Sequence, residues 1–347
     1  MSGTGAGAVA APAGEEAVIR SLPRDGSVRA MAEITHRTIE VNGLNMHVAE
    51  AGSGPLVVLL HGFPECWYSW RHQLTALAEA GFHAVAPDQR GYARTGGPQR
   101  VAEYSILHLV GDVVALIAAL GEERAVVVGH DWGAPVAWHT AQFRPDLVRG
   151  VVGLSVHPRP RTSRPPVAVM REQFGEGFYM VAFQEPKRPE AAFERDVADT
   201  FRRTLYALSG DAPGMLPVVP EGGSFLDVCP APERLPGWLT EDDIAVYAAE
   251  FAASGFTGPL NWYRNLDRNW ELTAAWHRAP ITPPALYIAG ERDMVLAGPG
   301  VKERLPRLRE FVPDLRDIVL LPGCGHWTQQ ERPREVNEAL LAFLRGL

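Results

Sequence analysis

The stretch Val128-Gly129-His130-Asp131-Trp132-Gly133 carries the clearest chemistry in the chain. Ala125-Val126-Val127-Val128 reads as a short buried strand, and Ala134-Pro135-Val136-Ala137-Trp138 as the start of a helix. Gly129 and Gly133 stand two places to either side of Asp131, so strand and helix can crowd together and push the central side chain out on a tight turn. A serine there would attack acyl carbons, whereas a carboxylate attacks saturated ones. Asp131 therefore points to displacement at an sp3 carbon rather than to ester cleavage.

Two further groups stand at strand ends. Leu286-Tyr287-Ile288-Ala289 runs into Gly290-Glu291-Arg292-Asp293, and Val319-Leu320-Leu321 runs into Pro322-Gly323-Cys324-Gly325-His326-Trp327. Taken singly, Asp293 suits a turn as well as a catalytic site, and a lone His326 is more often a loop or packing residue. The set is more informative: nucleophile, acid and histidine follow in the order of an α/β-hydrolase, each beyond the C-terminal end of its strand. His61-Gly62-Phe63-Pro64 follows the strand Leu56–Leu60 and suits an oxyanion loop, with the N–H groups of Phe63 and Trp132 as donors. The close approach this loop must make leads us to expect a cis Phe63–Pro64 bond. His61 and His130 are read as structural hydrogen-bonding residues.

The elements needed to hold these groups are legible. Ile34–Val41 and Leu44–Glu50 alternate around Asn42-Gly43, a hairpin signal. Leu56–Leu60, Ala84–Pro87, Ala125–Val128 and Val151–Leu154 are short aliphatic runs of the kind buried on both faces of a parallel sheet. Leu109, Val113, Leu116 and Leu120 mark one helical face closed by Gly121. From Pro158 the rhythm turns proline-rich and then helical, as in Ala191–Leu208 and Asp242–Ala253, before strands resume at Pro284–Ala289 and Ile318–Leu321. The expected fold is α/β: an α/β-hydrolase core with a mostly parallel, doubly wound sheet, formed by residues 33–157 and 272–347. Residues 158–271 form an inserted helical cap, because the C-terminal part alone is too short to bury a core. Residues 1–32 are Gly/Ala-rich at their start, have Arg20 as their first basic residue, and read as a disordered leader rather than a secretory signal. Met31, just before the first strand, is a candidate alternative translation start.

Bulk properties exclude other classes. With 347 residues, 46% hydrophobic and 21% charged, the chain is ordinary for a globular enzyme. A net charge of −8 with no basic block argues against nucleic-acid binding. Cys66, Cys229 and Cys324 are too scattered for a disulfide framework or zinc site, which fits a reducing cytoplasm. No apolar run reaches membrane-spanning length. A homodimer is compatible with the sequence, which does not itself set the oligomeric state.

His61-Gly62-Phe63-Pro64-Glu65 with Trp67 and Trp70, followed by His130-Asp131-Trp132-Gly133, closely resembles the soluble epoxide hydrolases of the α/β-hydrolase fold. Haloalkane dehalogenases share the aspartate elbow. Two cap segments separate the families: Tyr179–Pro186 resembles the segment bearing one epoxide-activating tyrosine, and Pro259–Asn265 resembles the segment bearing the second, at Tyr263. The resemblance runs from about Glu33 to the C-terminus. Arg90-Gly91-Tyr92-Ala93-Arg94-Thr95 departs from it, with alanine where relatives usually have glycine and threonine where they often have serine. Ser155-Val156-His157-Pro158 also departs, lacking the usual asparagine. Both departures lie outside the catalytic set and are expected to bear on pocket shape.

The resemblance implies that ionised Asp131 attacks an epoxide carbon to give an alkyl-enzyme ester while Tyr179 and Tyr263 hold and protonate the opening oxygen. His326, oriented by Asp293, then activates water against the ester and a vicinal diol leaves. No metal or cofactor is called for; the partners are a small apolar epoxide and water. Trp67, Trp262, Phe183 and Trp327 are expected to line an apolar pocket. A haloalkane dehalogenase would need halide donors, commonly Trp132 plus a second Trp or Asn, and has no use for paired cap tyrosines. A non-catalytic ligand binder on this fold would tend to lose part of the triad, which is complete here. The chain holds eight tyrosines, and Tyr206 and Tyr247 are read as packing residues of the cap.

Overall fold

The computed structural model describes Met1 and residues 32–347, apart from Leu216 and Pro299. The leader expected before Glu33, and Met31 with it, lies almost wholly outside these described residues. Residues 32–347 form one compact unit. Its strands are β1 (Thr35–Val41), β2 (Leu44–Ala51), β3 (Leu56–Leu60), β4 (His83–Pro87), β5 (Ala125–His130), β6 (Val148–Leu154), β7 (Ala285–Gly290) and β8 (Leu315–Leu321). They form one eight-stranded sheet in the order β1-β2-β4-β3-β5-β6-β7-β8. The pairs β1–β2 and β2–β4 are antiparallel, and every later pair is parallel.

The hairpin turns on Asn42 and Gly43, both at positive φ (49° and 77°), as a two-residue turn between twisted strands requires. The central strands β3 and β5 are buried at every residue, which is why they read as unbroken aliphatic runs, whereas β1 is largely exposed at the sheet edge.

Helices α1 (Arg71–Glu79), α2 (Ile106–Ala119) and α3 (Gly133–Phe143) connect the strands of the first half. Between β6 and β7 the chain is helical: α4 (Pro166–Phe174), α5 (Tyr179–Ala182), α6 (Arg188–Glu194), α7 (Val197–Ala207), α8 (Glu241–Ser254), α9 (Thr257–Arg264) and α10 (Leu266–Leu272). After β7 come α11 (Val301–Arg304), α12 (Thr328–Glu331) and α13 (Pro333–Arg345). The continuous helical segment expected over Ala191–Leu208 is broken. Asp196 adopts extended backbone and its carboxylate accepts the Asp199 amide at 2.9 Å, so it caps a new helix, α7, instead of continuing α6. The start of α8 is fixed by a capping box between Thr240 and Asp243.

Candidate active site

The turn between β5 and α3 carries Asp131 at φ 48°, unusual for a residue other than glycine. Its neighbours allow it: a methyl on Gly129 would meet the Gly133 carbonyl, and one on Gly133 would meet the Leu60 carbonyl. Gly62 comes so close that a Cβ there would overlap the Asp131 carboxylate. This approach lets the Phe63 amide donate to Asp131 Oδ1 at 2.7 Å. The Phe63–Pro64 bond is cis, as expected. Trp132 is the N-cap of α3, so its amide belongs to the turn whose N–H groups lack intrahelical acceptors.

His326 links the candidate triad. Its Nε2 lies 3.4 Å from Asp131 Oδ2, and its Nδ1 lies 3.1 Å from Asp293 Oδ1. Asp293 Oδ1 also accepts the Val295 amide at 2.9 Å. Burial opposes a charge on His326, but Asp293 and Asp131 outweigh it and hold the imidazole pKa well above its usual value. For both Asp131 and Asp293 burial would raise the pKa, yet the bonds and charge of His326 bring it below the usual carboxylate value, helped at Asp131 by the Phe63 amide. The two flanking carboxylates thus favour the protonated imidazole in the resting site.

The two expected tyrosines pack against each other, and Tyr263 against the residues flanking Asp131. Tyr179 opens α5 and Tyr263 lies in α9, with ring centroids 6.1 Å apart and planes inclined at 71°. The Tyr263 ring packs edge-on against Phe63 (5.5 Å) and Trp132 (5.1 Å), the residues of the two candidate oxyanion donors. Burial, and after it the charge of Asp131, raises the pKa of both phenols, so both stay protonated as donors. A hydrogen bond with the Trp132 side chain opposes part of that rise at Tyr263.

The aromatic residues divide. Phe183 belongs to the cluster over Asp131, 6.0 Å from Phe63, 5.6 Å from Tyr179 and 5.2 Å from Tyr263. Trp262 sits one layer back, edge-on to Trp132 and Tyr92, with its indole bonded to the Arg90 carbonyl. Two expected pocket residues lie outside the aromatic cluster. Trp67 packs instead against His36, His47 and Tyr68, because its amide is held by Asp88 Oδ1 at 2.9 Å. Trp327 packs behind His326 and His130, with its indole anchored on the Leu205 carbonyl at 2.8 Å. Phe193, Phe225 and Phe256 complete the aromatic cluster. No motif signals them, because which cap phenylalanines turn inward depends on how the helices pack.

His130 and His61 are structural, as expected. His130 Nδ1 pairs with Glu65 at 2.8 Å and its Nε2 with the His326 carbonyl at 2.7 Å. Glu65 also accepts from the Gln329 and Gln330 side chains. His61 Nε2 accepts the Gln89 amide at 3.0 Å. Glu331 accepts the amides of Gly210, Gly325 and Trp327, and the His326 amide donates to the Leu208 carbonyl, so the histidine loop is tied to the end of α7. Tyr247 is buried on α8 and hydrogen-bonds Gln330. Sequence reasoning missed Ser155, which it assigned to pocket shape: its Oγ lies 3.0 Å from His326 Nδ1.

Residues 55–333 match the α/β hydrolase fold family. Epoxide hydrolase A of Mycobacterium tuberculosis is 46% identical over 323 residues, 91% of this chain and 99% of that protein. Epoxide hydrolase 3 of Siraitia grosvenorii is 45% identical over 318 residues, 90% of this chain and 99% of that protein. Among solved structures, an epoxide hydrolase from Vigna radiata superposes with a TM-score of 0.84 at 42% identity, covering 91% of this chain and 99% of that one. Epoxide hydrolase A from Mycobacterium thermoresistibile gives 0.84 at 46% identity, covering 91% and 99%. A match on this scale, over nearly the whole of each relative, makes the chain a member of the α/β-hydrolase-fold epoxide hydrolases.

Proposed function

We propose that this epoxide hydrolase acts on apolar epoxides in two steps centred on Asp131, with residues 33–157 and 272–347 as its hydrolase core and residues 158–271 as the cap that brings the tyrosines. The observation that carries the reading is the placement of Asp131 between the Phe63 amide and His326, close enough to two buried phenols for its charge to raise their pKa. An ionised carboxylate needs no base before it attacks. Asp131 Oδ2 bonds to a ring carbon, the carbon–oxygen bond of the epoxide breaks, and the freed oxygen takes a proton from Tyr179 or Tyr263. Both phenols are held neutral partly by the Asp131 charge. Ester formation removes that charge, so each phenol becomes more acidic as the alkoxide develops.

The same loss of charge removes one of the two carboxylates that hold His326 protonated. Its pKa falls, it passes its proton to the phenolate left by ring opening, and Nε2 becomes a base for water. Water gives one proton to Nε2 as it attacks the ester carbonyl, the oxyanion is held by the amides of Phe63 and Trp132, and the alkyl oxygen leaves as a vicinal diol with the proton of the new carboxyl group, which restores the Asp131 carboxylate and the imidazolium. The rings of Phe63, Phe183, Tyr179, Tyr263 and Trp132 favour apolar substituents. The three cysteines are free and buried, in keeping with a reducing cytoplasm, and no described helix is long and apolar enough to cross a membrane.

The test is His326→Gln mixed with excess styrene oxide and followed by intact-mass spectrometry. The expected result is an adduct heavier by one epoxide on the peptide containing Asp131, and none with Asp131→Ala. An unmodified mass in His326→Gln would overturn the two-step reading. Faster turnover of a chloroalkane than of styrene oxide by the unaltered enzyme would instead favour dehalogenation.

A further inference from the structure

Ser155 follows β6 directly and is fully buried, with φ at 68°. The Val156 amide bonds back to the Leu154 carbonyl at 2.8 Å, closing a three-residue turn centred on Ser155. At positive φ such a turn is rare and unfavourable for a residue with a side chain. The fold nevertheless fixes it from both sides. The Ser155 amide donates to the Ile288 carbonyl at 2.9 Å, and the Ser155 carbonyl accepts the Tyr287 hydroxyl at 2.6 Å. Both partners lie on β7, the strand that leads to Asp293, so Ser155 and the acid are held in one frame.

The hydroxyl that this turn presents has a specific task open to it. His326 Nδ1 faces Asp293 Oδ1 at 3.1 Å and Ser155 Oγ at 3.0 Å. For Nε2 to serve as a base, Nδ1 must carry the proton, and Ser155 Oγ is then an acceptor for it beside the carboxylate. The hydroxyl's own proton is left free to turn toward the Asp293 carboxylate, whose Oδ1 faces the same Nδ1 at 3.1 Å. The Ser155 hydroxyl also helps hold the Asp293 pKa below its usual value.

We propose that Ser155 is a positioning residue for ester hydrolysis: its hydroxyl bridges His326 Nδ1 and Asp293, fixing the imidazole tautomer and plane that direct Nε2 at the attacking water. The inference rests on the two-step reading above and concerns its second step alone. Asp131 attacks without help from His326, so ring opening does not depend on Ser155.

The test is Ser155→Gly, which deletes the hydroxyl while relieving the positive φ, so that lost activity cannot come from backbone strain. Slower hydrolysis with unchanged ring opening lowers kcat and KM together and leaves kcat/KM in place. We expect kcat for styrene oxide to fall about tenfold, about 1.4 kcal/mol in barrier, with KM falling in step and the Asp131 ester accumulating during turnover by intact mass. Ser155→Asn, which supplies a donor on a residue tolerant of positive φ, should recover most of the rate. Unchanged kcat and KM in Ser155→Gly overturn the assignment, as does a fall in kcat/KM equal to that in kcat, and so does a Ser155→Asn variant as slow as Ser155→Gly. Failure of the two-step reading shows separately, as a missing adduct in His326→Gln.

Discussion

The backbone N–H of Phe63 holds one oxygen of Asp131, Oδ1, at 2.7 Å. The two carboxylate oxygens are therefore not equivalent. In the proposed reaction Oδ1 takes the place of the carbonyl oxygen of the later ester, where the same donor would stabilise the oxyanion, and Oδ2 attacks. Under single-turnover conditions in H2-18O, the first diol should carry unlabelled oxygen taken from Asp131, and the label should appear in the peptide containing Asp131. Label in the first diol and none in the peptide would mean that water attacks the epoxide directly.

In the proposed reaction Tyr179 and Tyr263, carried by separate helices, serve one epoxide oxygen. Either phenol alone can still donate, so each single change to Phe is expected to lower kcat/KM by about 10- to 100-fold. The double change should lose more than the product of the two single losses, because no donor then remains. Steady-state kinetics on styrene oxide across the four proteins checks this. A double variant with near-full activity, or losses that simply multiply, would remove the tyrosines from the shared role.

The parts of the site that were legible follow from local rules. Asp131 is readable because Gly129 and Gly133 are required wherever strand and helix crowd a side chain out on a turn. Asp293 and His326 are readable because active sites of open α/β sheets gather at strand ends. What was not legible depends on tertiary direction. The backbone hydrogen bond from Trp67 to Asp88 turns that indole toward His36, although a ring beside the oxyanion loop reads as pocket lining. Ser155 looks like an ordinary loop residue until pairing with β7 sets it against His326. Glu65 and its partners Gln329 and Gln330 lie at opposite ends of the chain, so no spacing rule joins them. The break between α6 and α7 was missed because the apolar period runs across Asp196, while the capping bond stops the helix.

His326 gives a pH prediction with a definite sign. Asp293 and Asp131 raise its pKa above 6.5 in the folded state despite burial. The stability it contributes is fully present below the unfolded pKa and is lost as pH rises through the folded one. Asp131 and Asp293 have lowered pKa values, so their contribution is present above their unfolded pKa of 3.8 and is lost as pH falls. Asp131→Asn removes one of the two charges that lift His326. Its imidazole should then titrate at lower pH than in the unaltered enzyme, which heteronuclear NMR of the ring nitrogens reads directly. Equal midpoints in the two proteins would show that Asp131 does not govern the base.

Gly62 is the residue on which the close approach of loop and nucleophile depends. A Cβ there would come within 2.7 Å of Asp131 Cγ, and nearer still to Oδ1 and Cβ. The carboxylate cannot give way easily, because Oδ1 is tied to the next amide in the same loop and Asp131 sits on a strained turn. The loop must retreat instead, which withdraws the Phe63 donor. Displacement of this size at a reacting group costs about 100-fold in rate, and the overpacking should cost about 1–3 kcal/mol in stability. Gly62→Ala should therefore fold, melt at a lower temperature and lose about 100-fold in kcat/KM. Adduct formation at Asp131 should slow along with diol release, because the loop positions the nucleophile as well as the oxyanion. Near-normal kinetics in a folded Gly62→Ala protein would show that the loop can yield without moving the carboxylate, and that the contact at Phe63 does not set the rate.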